Sequence, residues 1–138
     1  MGEARKAAER FYELFEAGDM DGASALFANS CVTITPSGPL KKDEHTAIGE
    51  AFKKGLPDAR MEIVRAVESG NEIFVSGRFK GTHSGDLVSS QGTVPASGNA
   101  LDMPFVDYWK VADGKVVEHE ATWDQLGMMA QLGAMPGG

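Results

Sequence analysis

Apolar residues recur along this chain with two different periods, and the change between them separates a helical first half from a stranded second half. Over Glu3–Ala17 the positions Ala4, Ala7, Ala8, Phe11, Leu14 and Phe15 follow the i, i+3, i+4 spacing of an amphipathic helix, which Gly18 closes. Asp19 is placed to cap a second short helix, Met20–Phe27, with Ala23, Leu26 and Phe27 as its apolar members. Cys31–Thr35 reads as a short strand ended by Pro36. Ala47, Ile48, Ala51 and Phe52 form the buried stripe of a third helix over Asp43–Lys54, ahead of the breaker Pro57.

From there the period is 2. Ala59–Val67 predicts a strand, Ser69-Gly70-Asn71 a turn, and Glu72–His83 a strand whose odd positions are Ile73, Val75, Gly77, Phe79, Gly81 and His83. Two glycines on that face would permit a sheet to bend. Ser84–Asn99 is rich in Gly, Ser and Pro and lacks periodicity; a loop this long in a compact domain is usually functional or mobile. Two strands follow, then a short helix, Gln125–Leu132, and a Gly-rich tail. Helices first and antiparallel strands after them predict an α+β fold, one domain over 1–138, with helices on one face of a curved sheet.

The last two strands carry the chemical signal. In Leu101–Val111 the odd positions read Leu101, Met103, Phe105, Asp107, Trp109 and Val111; in Val116–Asp124 they include Val117, His119, Ala121 and Trp123. Alternating strand geometry turns Asp107 and His119 inward with the hydrophobic residues. Burying a carboxylate costs several kcal/mol (roughly) unless it is paired or protonated. A two-residue Asp113-Gly114 turn would set apolar residues beside charges. A three-residue loop, Ala112–Gly114, sets Trp109 against Val117, Phe105 against Ala121 and Asp107 against His119, so this second register is expected. The pair reads either as an acid–base site or as a structural pair that fixes the hairpin, with His119 orienting the acid or transferring the proton itself.

Composition narrows the function classes. The 138 residues are 42% hydrophobic and 24% charged, as in ordinary globular proteins, with no long apolar run and no secretory signature. A net charge of −7 with 13 scattered Lys and Arg disfavours nucleic acid as a partner, and nothing predicts a membrane span. The single Cys31 fits a reducing cytoplasm. Three histidines without HxH or HExxH spacing give no metal site, and no Ser-His-Asp order or phosphate loop is present. His45, at a helix start, is expected in solvent. Asp124 reads first as the N-cap of the last helix and second as a pocket acid. Tyr12 lies off the main helix stripe and either reaches the pocket or packs at the helix edge. Phe105, Trp109 and Trp123 read as core and pocket wall.

The segment "ERFYELFEAGDMDGASALF" resembles the opening helices of the nuclear transport factor 2-like superfamily, which includes the ketosteroid isomerases. "GTHSG", "VPASGN" and "VDYWKVADGKVVEHEATWDQLGMMAQLG", with Gln131-Leu132-Gly133 near their end, are similar to the SnoaL-like polyketide cyclases. The resemblance spans nearly the whole chain. It implies a cone-shaped α+β barrel around a mostly apolar pocket, a homodimer formed through the outer sheet face, and catalysis without cofactors. Cyclases of this kind carry an acid/base aspartate two residues after the last-strand histidine, a position that here is Ala121. Their pocket histidine on the preceding strand falls at Asp107, where ketosteroid isomerases carry an aspartate that donates to an oxyanion. The isomerase base falls near Thr35 and its pocket tyrosine near Phe11. His83 falls at the pocket mouth, its alternative being a strand-end residue bonded to the loop.

The resulting expectation is a cytoplasmic enzyme performing cofactor-independent acid/base chemistry of cyclase or isomerase type on an apolar, carbonyl-containing small molecule. Asp107 and His119 are its catalytic pair. His83, Tyr12, Trp109, Trp123, Phe105 and Asp124 contact substrate, and no metal is involved. The rival expectation, favoured by Ala121, is a non-catalytic ligand-binding or dimerisation module on the same fold. A hydrolase or hydroxylase is a third reading.

Overall fold

The computed structural model describes residues 2–89 and 92–134. The elements are α1 (Glu3–Glu16), α2 (Met20–Ser24), β1 (Val32–Thr35), β2 (Gly38–Lys41), α3 (Lys42–Gly55), β3 (Arg60–Ser69), β4 (Glu72–Thr82), β5 (Leu87–Ser89), β6 (Gly92–Val94), β7 (Ala100–Ala112), β8 (Lys115–Trp123) and α4 (Gln125–Gln131). Six strands form one sheet in the order β2-β1-β8-β7-β4-β3, and β5 pairs with β6. Every pairing is antiparallel except β1 with β8. The helices cover the concave side of this curved sheet, the α+β architecture expected from the sequence. Most of the Gly-rich tail lies outside the described residues.

Local chemistry accounts for the element ends. Gly18 takes φ +78° and closes α1, and the Asp19 carboxylate accepts from the Gly22 N–H at 2.8 Å to cap α2. α1 buries Ala4, Ala8, Phe11, Tyr12, Leu14 and Phe15, so Tyr12 stands on the stripe and not at its edge. The face of α3 that turns inward is His45, Ile48, Gly49 and Phe52, while Ala47 is exposed. This helix is therefore rotated from the predicted stripe, and its histidine leaves solvent.

Three strands were hidden from the period-2 pattern. Pro36 does not end the chain's β-structure: Thr35 Oγ1 accepts from Ser37 N at 3.1 Å and donates to Gly38 O at 2.8 Å, closing a turn that returns the chain as β2. Within Ser84–Asn99, β5 and β6 have three residues each, too few to show an alternation.

The β7–β8 hairpin differs from the expected register. Asp113 and Gly114 take φ of +51° and +76°, the signature of a two-residue type I′ turn. Ala112 then faces Lys115 and Val111 faces Val116, but Lys110 faces Glu118, which leaves Val117 as the extra residue of a β-bulge. Beyond the bulge Trp109 faces His119, Asp107 faces Ala121 and Phe105 faces Trp123. The expected Asp107–His119 cross-strand pair is thus displaced by two residues. The parity survives, so both side chains still point inward. Backbone bonding makes the bulge possible: Val116 N donates to Leu26 O and Val116 O accepts from Ala28 N, both at 2.9 Å. Groups removed from the ladder are satisfied by the chain leaving α2.

Gly77 lets the β3 backbone and the Phe105 ring approach β4 closely. A Cβ there would sit 2.1 Å from Glu62 O and 2.8 Å from the Phe105 ring. Opposite it, β3 is irregular between Ile63 and Arg65. Gly77→Ala is therefore expected to lower unfolding free energy by about 1–3 kcal/mol in urea denaturation; an unchanged midpoint would show that the bulged strand yields freely.

Candidate active site

Asp107 sits at the middle of β7, between Val75 of β4 and Ala121 of β8, and is only 4% exposed. Its Oδ2 accepts a hydrogen bond of 2.5 Å from the Tyr12 hydroxyl of α1. No bond to Oδ1 is made among the described residues. Burial pushes the Asp107 carboxyl up to about 7, and the Tyr12 hydrogen bond opposes that rise. Tyr12 is itself held well above an ordinary tyrosine, first by burial and then by the neighbouring Asp107 charge. The Trp109 indole N–H is a weaker opposing influence on Tyr12 and makes no hydrogen bond of good geometry. The acid is thus paired with a tyrosine, and not with the histidine expected from the sequence.

His119 lies beside it on a separate hydrogen bond. Its Nδ1 is 3.0 Å from Thr33 Oγ1, the residue it faces across the parallel β1–β8 pair. Its ring packs on Trp109 with centroids 4.0 Å apart and meets the His45 ring at 5.2 Å. Nε2 is sealed from solvent without a partner. Burial, and after it the nearby His45, lowers the His119 imidazole well below its ordinary range, so the ring is neutral near pH 7. Burial likewise lowers His45 to about 4. His45 stacks on Phe11 at 5.7 Å, half-buried.

These groups face one cavity of about 70 Å³. Asp107, His119 and His45 are its ionisable members; Phe11, Phe52, Phe79, Phe105 and Trp123 supply much of the apolar wall. Phe105 and Trp123 are therefore where the sequence put them, whereas Trp109 lies fully buried behind His119. For two other residues the structure selects between the expected readings, the loop-bonded one for His83 and the N-cap for Asp124. His83 is not at an open mouth: its Nδ1 bonds Ser97 Oγ at 2.8 Å, its backbone bonds Asn99 O and Gly98 N, and it anchors the loop. Asp124 caps α4 through Gly127 N at 2.8 Å and stays outside the cavity wall. Thr33 went unnoticed in the sequence, and His45, expected in solvent, lines the cavity instead. His45 was legible as the i−3 neighbour of Ile48 on the inward face; Thr33 carried no signal, since a parallel strand pair distant in sequence selects it. No three His, Cys, Asp or Glu residues are grouped to hold a metal among the described residues. No helix among them is long and apolar enough to cross a membrane.

Helices packed on a curved sheet in this way form the nuclear transport factor 2-like, ketosteroid isomerase-like α+β fold. Within that class the chain belongs to the SnoaL-like domain family, whose pattern matches residues 8–119. No curated protein matches the chain. Among solved structures it is similar to AclR of Streptomyces galilaeus, provisionally described as a hydroxylase, with TM-score 0.82 and 19% identity over 97% of this chain and 98% of that one. It is also similar to IdmH of Streptomyces antibioticus, provisionally described as a polyketide cyclase, with TM-score 0.79 and 25% identity over 96% and 99%. A SnoaL-like cyclase, so described on the same provisional footing, from Jannaschia sp. CCS1 superposes with TM-score 0.82 and 21% identity over 97% and 94%.

Two outcomes follow for the Asp107–Tyr12 pair. Tyr12→Phe removes the bond that favours the ionised acid, so the Asp107 pKa is expected to rise above its value near 7 by about one unit in a carboxyl-carbon NMR titration; a fall would contradict the assignment. The folded pKa of Asp107, about 7, lies above its unfolded value of about 3.9, so its contribution to stability is complete below pH about 4 and is lost as pH rises through about 7. Asp107→Asn cannot undergo that loss. Its stability relative to wild type is expected to improve by roughly 4 kcal/mol between pH 4 and pH 8, read from denaturation at each pH. A pH-independent difference would show that Asp107 titrates normally.

Proposed function

We propose that this protein catalyses proton transfer on an apolar, carbonyl-containing small molecule, a step of cyclase or isomerase type, with Asp107 taking and returning the proton. One observation carries the reading: a carboxyl group in an apolar cavity, poised near neutral pH, with one oxygen held by Tyr12 and the other uncommitted. A base whose pKa lies near the working pH is both available and strong enough to act. Asp107 Oδ1 accepts a proton from the carbon beside the carbonyl, and the C–H electron pair moves to give an enolate with its charge on oxygen. His119, neutral and unpartnered at Nε2, donates to that oxygen when Thr33 donates to Nδ1. Returning the proton to another carbon isomerises the substrate. Attack of the enolate carbon on a second carbonyl closes a ring. Membership of the SnoaL-like family and the likeness to IdmH support this class of reaction.

A second reading, a ligand-binding module without turnover, is favoured by Ala121. It lines the cavity directly across the ladder from Asp107, where the cyclase pattern carries an acid. The reading of Asp107 as base needs no second acid, because the same carboxyl both removes and returns the proton. We also assign a homodimer through the outer sheet face, supported by Val32, Ile34, Val67, Phe74 and Val106, all exposed there. The buried free thiol of Cys31 accords with a cytoplasmic location.

Proton transfer is testable without knowing the substrate, as protein-catalysed hydrogen–deuterium exchange at the carbon beside the carbonyl in a panel of cyclic ketones. Exchange is expected to rise with pH through about 7 and to fall at least about 100-fold in Asp107→Asn while the fold is kept. An Asn variant as active as wild type would sink the assignment.

A further inference from the structure

The cavity at Asp107 is too small for a ligand that its chemistry would address. It measures about 70 Å³, whereas benzene occupies an engineered cavity of roughly 150 Å³. No six-membered ring fits beside Asp107 with the side chains as they stand. A second hollow, of about 230 Å³, lies alongside. Thr35 and Leu40 of the β1–β2 hairpin, Leu87 and Val88 of β5, and Gln125 and Met128 of α4 bound this outer chamber. Ile48, Phe52 and Trp123 belong to the walls of both. Taken together, the two volumes reach the roughly 300 Å³ at which small-molecule sites begin.

The partition between the chambers is a ring pair. Phe52 and Trp123 meet edge to face, with centroids 5.7 Å apart and planes at 89°. The two rings are held differently. Trp123 Nε1 donates to Gln125 Oε1 at 2.7 Å, which ties the indole to the start of α4. Phe52, half-buried on α3, is held by ring contacts alone, to Trp123 and to Phe79 at 5.7 Å. It can change rotamer without breaking a hydrogen bond; Trp123 cannot.

We propose that Phe52 is the gate between the chamber at Asp107 and the outer hollow, so that a ketone too long for the inner chamber seats only when this ring turns aside. Its carbonyl end enters beside Asp107 and His119, and the rest of it occupies the space between α3, β5 and α4. This deepens the reading of Asp107 as the acid–base group and rests on it. The opening cost of the gate lowers apparent affinity by the fraction of molecules that are open, so the size of residue 52 should change binding of a long ligand more than that of a short one.

The test uses 1-tetralone, with two fused rings, and acetone, with four heavy atoms, in NMR titrations of the whole protein. 1-Tetralone is expected to shift His119 together with the amides of Leu87 and Val88. Phe52→Leu should tighten it at least tenfold and Phe52→Trp weaken it at least tenfold, with each change at least threefold smaller for acetone. The leucine variant is conservative enough to fold, and circular dichroism checks both. If 1-tetralone shifts His119 but not Leu87 and Val88, or binds equally to all three proteins, the gate is overturned and the acid–base reading stands. If it shifts His119 in none of them, both are overturned.

Discussion

The hydrogen bond from Tyr12 to Asp107 joins the first helix to the centre of the sheet, and much of the interior is arranged around the need to make it. A carboxyl group sealed from water is tolerated only when protonated or paired. Here one oxygen is paired and the other faces the cavity. That single bond fixes how α1 lies on β7. It brings the Tyr12 ring against Phe105 and Trp109, and Phe11, one residue away, against Trp109, Phe27 and His45. The aromatic packing that forms the closed end of the cone and the polarity of the cavity thus share one origin.

The bulge at Val117 is the second constraint. Without it, a two-residue turn would bring Trp109 opposite Glu118 and set an uncompensated charge against the core. One extra residue restores the parity, so that His119 packs under Trp109 and reaches Thr33 on the parallel strand. The bulge persists because Leu26 and Ala28 take up the backbone groups of Val116. A segment leaving the second helix therefore decides which residues of the last hairpin face one another, a coupling over some ninety positions of sequence.

Asp107 and His119 are shifted in opposite directions by the same cause. Burial favours the neutral form of each, raising the acid and lowering the imidazole, so near pH 7 the site holds a half-titrated carboxyl beside two uncharged rings. Such a site can exchange a proton with a bound molecule without first stripping an ion of its water. The absence of an acid at Ala121 leaves that exchange to one carboxyl, with tyrosine and histidine as hydrogen-bond partners. The cavity at Asp107 and the outer hollow share Ile48, Phe52 and Trp123 as walls.

Periodicity alone determined the α+β class, the inward faces of β4 and β7 and the burial of Asp107 and His119, because a side chain's face depends on residues near it in sequence. The α1 stripe and the Asp19 and Asp124 caps are local in the same sense, whereas the two-residue Asp113-Gly114 turn replaced the three-residue loop that the pattern favoured. What the tertiary structure decided was non-local. Which residue opposes which across the hairpin depended on backbone partners from α2. The partner of Asp107 came from a helix ninety-five residues earlier, and the partner of His119 from a parallel strand that no turn connects to it. His45 entered the cavity because α3 rotated to meet Phe11 and Phe27, a packing choice that alanines on either side of the helix left open. Local pattern chose the faces; contacts between distant segments chose the pairs.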